Sequence, residues 1–265
     1  MRLVIATTVE DPLAAPFWQA YAEAGGRPPA SVFFIAPRRA SGLARQAAEA
    51  LLLFGPLDSL RSWRTGRKMR RALLTDPQRV FPGGGAFHYV STLNRGEGFA
   101  ALQQAPPDLL VSVGAPEIFK PPLLRLPAVG AVNVHNGRLP AYRGLFGSFW
   151  ESFRGEEWGY TSLHVMAPQV DAGPVLAEAA VRLRGRPLRQ VLLEKKREGG
   201  RLLASIVRFV EREGRLPDAR PLAEETTGYY GWPTWRDLLV HRVMRGRHRP
   251  GPSPGPATSA SRGTE

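Results

Sequence analysis

No cysteine occurs among the 265 residues. That excludes disulfides and thiolate metal sites, and it fits a cytoplasmic chain. Long apolar runs are also missing: none approaches the roughly 18 residues that a membrane-spanning helix needs. The opening stretch, MRLVIATTVEDP, stops being apolar at Glu10 and Asp11 and has no small-residue cleavage site, so it is expected to form a first strand and not a secretion signal. The triplet Gly83-Gly84-Gly85 lacks the Gly-Lys-Ser/Thr that would make it a phosphate cradle. Ser148, in FGSFW, does not sit in a nucleophile-elbow pattern, which argues against serine hydrolysis. Acidic residues are scarce as well, 23 against 36 basic ones, giving a net charge of +13. Two readings stay open: an arginine-rich composition with solvated side chains, or an anionic partner such as nucleic acid, a membrane surface or a phosphorylated substrate.

What is present alternates between strand and helix patterns. Leu3 to Thr8 is an apolar run of β-formers, Pro12 to Ala24 is helix-like, and Ser31 to Ala36 is a second buried strand. Ser41 to Arg71 has helical spacing, broken only at Gly55-Pro56, and ends in the basic section RSWRTGRKMRR, which reads most simply as one solvated face. His88 to Thr92 suits a strand, and a helix follows through Phe99 to Gln104. LLVSVGA after Pro107-Asp108 suits a strand covered on both faces. Leu123 to Leu126 belongs to a short helix, Gly130 to His135 to the next strand, and Phe146 to Phe153 to a helix. Tyr160 to Met166 and Pro174 to Leu183 are strands, and Leu188 to Glu213 is a long amphipathic helix, softly interrupted at Gly199-Gly200. The alternation predicts a doubly wound α/β sheet, mostly parallel and Rossmann-like. Expected boundaries are a catalytic domain over 1–185, a helical and aromatic extension over 186–248, and a disordered Pro/Gly/Ser-rich tail over 249–265.

The chemistry concentrates in three motifs. In Asn133-Val134-His135, positions i and i+2 of a strand share a face, so the amide and the imidazole lie side by side, with Val132 and Val134 on the other face. Such a polar pair is costly to bury unless hydrogen-bonded, so it is either satisfied structurally or exposed at the sheet's carboxyl edge, where open α/β sheets bind ligands. The loop LPAYRG, Leu139 to Gly144, follows. Thirty-six residues beyond His135 comes VDAGPV, Val170 to Val175, a turn whose Asp171 carboxylate can point back to the strands. Amide, imidazole and carboxylate make an acyl-transfer set. The imidazole handles a proton near neutral pH, the carboxylate fixes its tautomer or accepts charge, and an amide NH2 can stabilise an oxyanion by about 3 kcal/mol. His164 sits in an alternating strand and is expected to be a satisfied core or rim histidine. The aromatic cluster Tyr229 to Trp235 is expected to serve packing or to wall an acceptor pocket.

In this order, the strand ending in Asn-x-His, the L-P-x-Y-R-G loop and the V-D-x-G-x-V turn resemble the core of the formyltransferase family, which includes methionyl-tRNA, glycinamide ribonucleotide and sugar N-formyltransferases. The resemblance covers about residues 107 to 183 and is weak before that. It implies a Rossmann-like fold and a donor, 10-formyltetrahydrofolate, with no metal. Asn133 would hydrogen-bond the formyl oxygen. His135 would assist at the oxyanion and in moving the amine's proton, and Asp171 would orient His135 and help remove that proton. The pterin would lie against Val113, Gly114, Ala115, Ile118, Val170 and the backbone at Asp171. Tyr142 and Arg143 are candidate substrate contacts, with a structural clamp the equal alternative for Arg143. The chain departs from many relatives at His135-Asn136-Gly137, where they carry His-Pro-Ser, and in its basic insertion, roughly Leu57 to Arg79.

The expected acceptor is a small-molecule amine, foremost an amino sugar, nucleotide- or lipid-linked. Transfer RNA is the weaker expectation, because relatives using it add a C-terminal barrel and only 82 residues follow Leu183 here. Hydrolysis of 10-formyltetrahydrofolate and a non-catalytic folate- or nucleic-acid-binding role are the alternatives, and a homodimer is left open.

Overall fold

A computed structural model describes residues 1–37, 43–223 and 228–244; the expected disordered tail, 249–265, lies outside them. Five strands, β1 (Leu3–Thr7), β2 (Ser31–Ile35), β3 (Ala86–Val90), β4 (Leu109–Val113) and β5 (Gly130–His135), run parallel. Next come β6 (Arg143–Gly144), β7 (Trp158–Val165) and β8 (Val175–Arg182). The seven-stranded sheet has the order β3-β2-β1-β4-β5-β7-β8, with β7 antiparallel to both β5 and β8. The strand order reverses between β1 and β4, which opens a crevice at the carboxyl edge. Every residue of β1, β2 and β4 is buried, as their unbroken apolar runs require of strands covered on both faces.

Eight helices surround the sheet among the described residues: α1 (Ala15–Glu23), α2 (Leu43–Phe54), α3 (Pro56–Thr75), α4 (Gly96–Gln104), α5 (Pro121–Leu124), α6 (Gly147–Phe153), α7 (Leu188–Glu213) and α8 (Trp235–Met244). The larger core packs Phe17 and Trp18 of α1 and Leu203 and Val207 of α7 on Ile5, Val111, Val132 and Val134. The opposite core packs Leu102, Phe119 and Leu123 on Val4, Phe33, Leu110 and Ala131. Alternation along β5 therefore sends Val132 and Val134 toward α7, and Asn133 and His135 to the other face, as their spacing predicts.

The boundary expected near residue 185 does not separate α7 from the sheet, because Leu203, Ala204, Val207 and Val210 are part of the main core. Nor do Gly199 and Gly200 interrupt the helix. A Cβ on Gly200 would lie 2.3 Å from the Phe17 carbonyl oxygen, so the absent side chain is what lets α7 cross α1 at close range.

Candidate functional site

Three segments converge beyond the carboxyl ends of β4 and β5. Pairing of Val113 with Val134 brings the β4 end beside the β5 end, so the 114–118 loop and the Asn133–His135 pair leave the sheet together. The 139–144 loop is fixed by a short second sheet, in which β6 pairs with β9 (Tyr229–Tyr230). The third segment is the turn that carries Asp171 between β7 and β8.

Asp171 is the hub. Its residue adopts a left-handed conformation (φ 49°), a cost that a short polar side chain bears more easily than a bulky one. The turn is held from both sides. The Arg143 guanidinium donates to the Val170 carbonyl from Nε (3.0 Å) and Nη2 (2.6 Å), and the Gly144 amide donates to Asp171 Oδ2 (2.9 Å). Gly173 has no room for a side chain, since a Cβ would lie 1.8 Å from the Val165 carbonyl oxygen. Oδ2 of Asp171 also faces His135 Nδ1 at 3.4 Å, while Oδ1 faces His164 Nε2 and Asn133 Nδ2, each at 3.4 Å.

His135 is buried, and its Nε2–H donates to the Tyr142 carbonyl at 2.6 Å. That bond sets the tautomer in the neutral ring and leaves Nδ1, the atom toward Asp171, without a proton. Burial lowers the His135 pKa, against the pull of the Asp171 charge and the Tyr142 carbonyl. Asp171 behaves oppositely. Burial pushes its pKa up, but the contact with His164, the His135 charge and the Gly144 amide outweigh it and bring the pKa down to about 2. A carboxylate that stays charged beside an imidazole that stays neutral is a pair poised to share an incoming proton.

His164 is the buried, hydrogen-bonded histidine that its strand pattern suggests, and it also touches the site. Its Nδ1–H donates to the Val165 carbonyl (2.9 Å), and Nε2 accepts from Asn133 Nδ2 (3.1 Å). Asn133 thus has its amide nitrogen directed at two acceptors, one on His164 and one on Asp171. The signal available was register alone, since His164 pairs with Asn133 across β5 and β7.

The other expected site residues fall into two groups. Tyr142 is buried, with its hydroxyl donating to Glu156 (2.7 Å) and its ring stacked on Tyr230 at 5.5 Å. Together with the Arg143–Val170 clamp, this gives both residues positioning contacts on the loops that frame Asp171. In the 114–118 loop, Gly114 (φ 64°) borders open space and Ile118 is 61% exposed. The 114–118 loop is held by Glu117, which accepts from Thr92 Oγ1 (2.7 Å), the Leu93 amide (2.5 Å) and Asn94 Nδ2 (3.0 Å). Among the described residues no cluster of His, Asp and Glu is arranged to hold a metal ion.

Beneath the site lies a buried ion pair, Lys195 Nζ to Glu151 Oε2 at 2.6 Å. Glu151 Oε1 also accepts from the amides of Arg138 and Tyr160, both at 2.9 Å, and Lys195 donates to the Asn136 carbonyl at 3.3 Å. Ser148 and Ser162 hold the carbonyls of Asn136 and Gly137. The loop leaving His135 is therefore fixed by hydrogen bonds on its inner side.

Residues 68–192 match the family model described as Formyl transferase. A methionyl-tRNA formyltransferase of Dehalococcoides mccartyi is 28% identical over 151 residues, 57% of this chain and 48% of that protein. The chain thus spans about half the length of the curated relatives it matches. Among solved structures, glycinamide ribonucleotide transformylase 1 from Symbiobacterium toebii superposes with a TM-score of 0.53 at 20% identity, covering 84% of this chain and 94% of that one. An N-formyltransferase from Helicobacter canadensis, in complex with folinic acid and dTDP-3-aminofucose, gives 0.50 at 14% identity, covering 92% and 80%. The shared fold is the mostly parallel seven-stranded sheet with its flanking helices.

Proposed function

We propose that this chain, which resembles the formyl transferase family over residues 68–192, transfers a formyl group from 10-formyltetrahydrofolate to the primary amine of a small molecule. The observation that carries the reading is the convergence of Asn133, His135 and Asp171 at one point of the carboxyl edge, with a charged carboxylate 3.4 Å from the Nδ1 of a buried imidazole. The folate supplies an electrophilic formyl carbon on a nitrogen leaving group. In the transfer a bond forms from the amine nitrogen to that carbon, the bond to folate nitrogen breaks, and one proton passes from the amine to the leaving nitrogen.

The chain's residues serve that exchange as follows. His135 Nδ1 takes the proton from the attacking amine, and Asp171 stabilises the imidazolium that results. Asn133 turns an N–H from its resting acceptors toward the developing oxyanion. Gly114 and Ile118, with Val113, Ala115 and Val170, line the donor's side. Backbone contacts through Arg143 and Gly144 keep Asp171 in place while charge moves.

An amino sugar, nucleotide-linked, is the acceptor we favour. Beside Gly144 an aromatic rim is open to solvent, with Tyr229 65% and Trp232 48% exposed, and Trp232 stacks on Phe146 at 5.0 Å. Exposed ring faces of this kind suit a base or a sugar's apolar face. The Helicobacter canadensis structure, with its amino-sugar nucleotide, supports that choice, while the methionyl-tRNA and glycinamide ribonucleotide proteins keep other acceptors in the comparison.

Incubation with 10-formyltetrahydrofolate and dTDP-3-aminofucose or glycinamide ribonucleotide, followed by mass spectrometry, separates the readings. A formamide on the sugar is the expected product. Formylation of the ribonucleotide alone would overturn the sugar acceptor, and formate release without any amine would favour hydrolysis.

A further inference from the structure

Helix α3 is the basic insertion that the three motifs leave unexplained, and its two faces differ sharply. The inner face is occupied: Ser62, Met69 and Leu73 are buried, Ser62 Oγ accepts from Arg189 Nε (2.8 Å), and Gly66 sits so close to Pro12 that a Cβ would lie 2.8 Å from its side chain. Arg70 Nε pairs with Glu10 at 3.0 Å. Pro12 and Glu10 belong to the loop that follows β1, so α3 crosses the same carboxyl edge where the candidate site opens.

Among the described residues, the outer face has no such partners. At 100° per residue, Leu57, Leu60, Trp63, Arg64, Arg67, Arg71 and Leu74 fall on one side of the helix, opposite Ser62, Met69 and Leu73. Leu57 is 60% and Trp63 55% exposed, and the Arg67 guanidinium lies 4.7 Å over the Trp63 ring. The helix's one acid, Asp58, is paired with Arg61, so nothing on α3 opposes the three arginines of that face. A water-facing helix that sets leucines and a tryptophan among unopposed arginines leaves apolar area exposed for no gain unless something covers it.

We propose that the outer face of α3 docks on an anionic lipid surface, with Leu57, Leu60 and Trp63 entering the headgroup boundary and Arg64, Arg67 and Arg71 meeting the lipid charges. Charge complementarity selects the partner's sign, and the leucines select its class. An RNA backbone would engage the arginines and could stack on Trp63, but it offers leucine nothing, whereas an acyl boundary takes leucine and tryptophan together. Docked this way, α3 sets the carboxyl edge near the membrane. The inference stands on α3 alone and does not depend on the formyl-transfer reading.

Sedimentation of the full chain with vesicles tests it. Phosphatidylcholine vesicles with one-third phosphatidylglycerol (a fraction of roughly 30% gives a strongly negative surface) are compared with pure phosphatidylcholine. Binding to the anionic vesicles is expected to be at least about tenfold tighter and to weaken as salt rises. Two variants, Arg64→Glu/Arg67→Glu/Arg71→Glu and Leu60→Ser/Trp63→Ser, should each lose about tenfold while still binding a folate analogue as the wild type does. Equal binding to both vesicle types, no binding, or wild-type binding by both variants would overturn the proposal. So would α3-dependent binding of a single-stranded RNA without vesicle binding, which assigns the face to nucleic acid. Loss of folate-analogue binding by the wild type, with vesicle binding intact, would count against the formyl-transfer reading only.

Discussion

Asp171→Asn is expected to lower kcat/KM for formyl transfer about 10³-fold, the scale of a lost general acid–base partner. The substitution keeps the shape and an oxygen able to accept from the Gly144 amide (2.9 Å), so the turn has a means to persist. What disappears is the charge that faces His135 Nδ1 and His164 Nε2, each at 3.4 Å. Stability should fall by about 2 kcal/mol at neutral pH, from a pKa held at about 2 against 3.8 for the free group. The sign follows from the depressed pKa: this contribution is present above pH 3.8 and is lost as pH falls toward 2.

The pH profile gives a sharper signature than the rate. His135 must be neutral to take a proton, and burial holds its pKa below 6.5, so the acid limb of kcat/KM should lie below that value. Asp171 is the main charge opposing burial, hence its removal should move the limb further down in pH. A variant within threefold of the wild-type rate, or with an unmoved limb, would remove Asp171 from the proton path.

Lys195→Met carries the largest expected effect on folding, a loss of about 3–5 kcal/mol in urea denaturation. The Lys195 ammonium and the Glu151 carboxylate are buried completely or nearly so, and burial lowers the Lys195 pKa and raises that of Glu151 against their mutual attraction. Methionine fills the same space but leaves an unpaired carboxylate in the core. Adding Glu151→Gln should restore much of the loss, because a glutamine oxygen still accepts the amides of Arg138 and Tyr160 and carries no charge. Glu151→Leu in its place should not rescue, since two buried amides would lose their acceptor. Equal behaviour of the two double variants would show that charge neutralisation, and not the amide bonds, decides the outcome.

The parts of this molecule that were legible in the sequence are those with a period. Asn133-Val134-His135 sits on β5 with its polar pair on one face because alternation leaves no other arrangement, and α7 spans Leu188–Glu213 because its apolar stripe is unbroken. Other features have no local signature. Lys195 stands in the charged run Glu-Lys-Lys-Arg-Glu, where nothing local marks it for burial, yet it is wholly buried against Glu151, 44 residues away. His164 looks like any strand histidine until β7 pairs antiparallel to β5 and sets it opposite Asn133. Gly199 and Gly200 resemble a helix breaker, and only the approach of α1 explains them. Tertiary partners, absent from a single segment's pattern, account for each of these features.

Calorimetric titration of the full chain with a stable 10-formyltetrahydrofolate analogue tests the central claim most directly, run on the wild type and on Ile118→Asp. Micromolar binding is expected, about tenfold weaker in the variant, which replaces the 61% exposed Ile118 of the proposed donor side with a carboxylate. No detectable binding to folded wild type would contradict the account and leave Asn133, His135 and Asp171 as a hydrogen-bonded cluster without a donor.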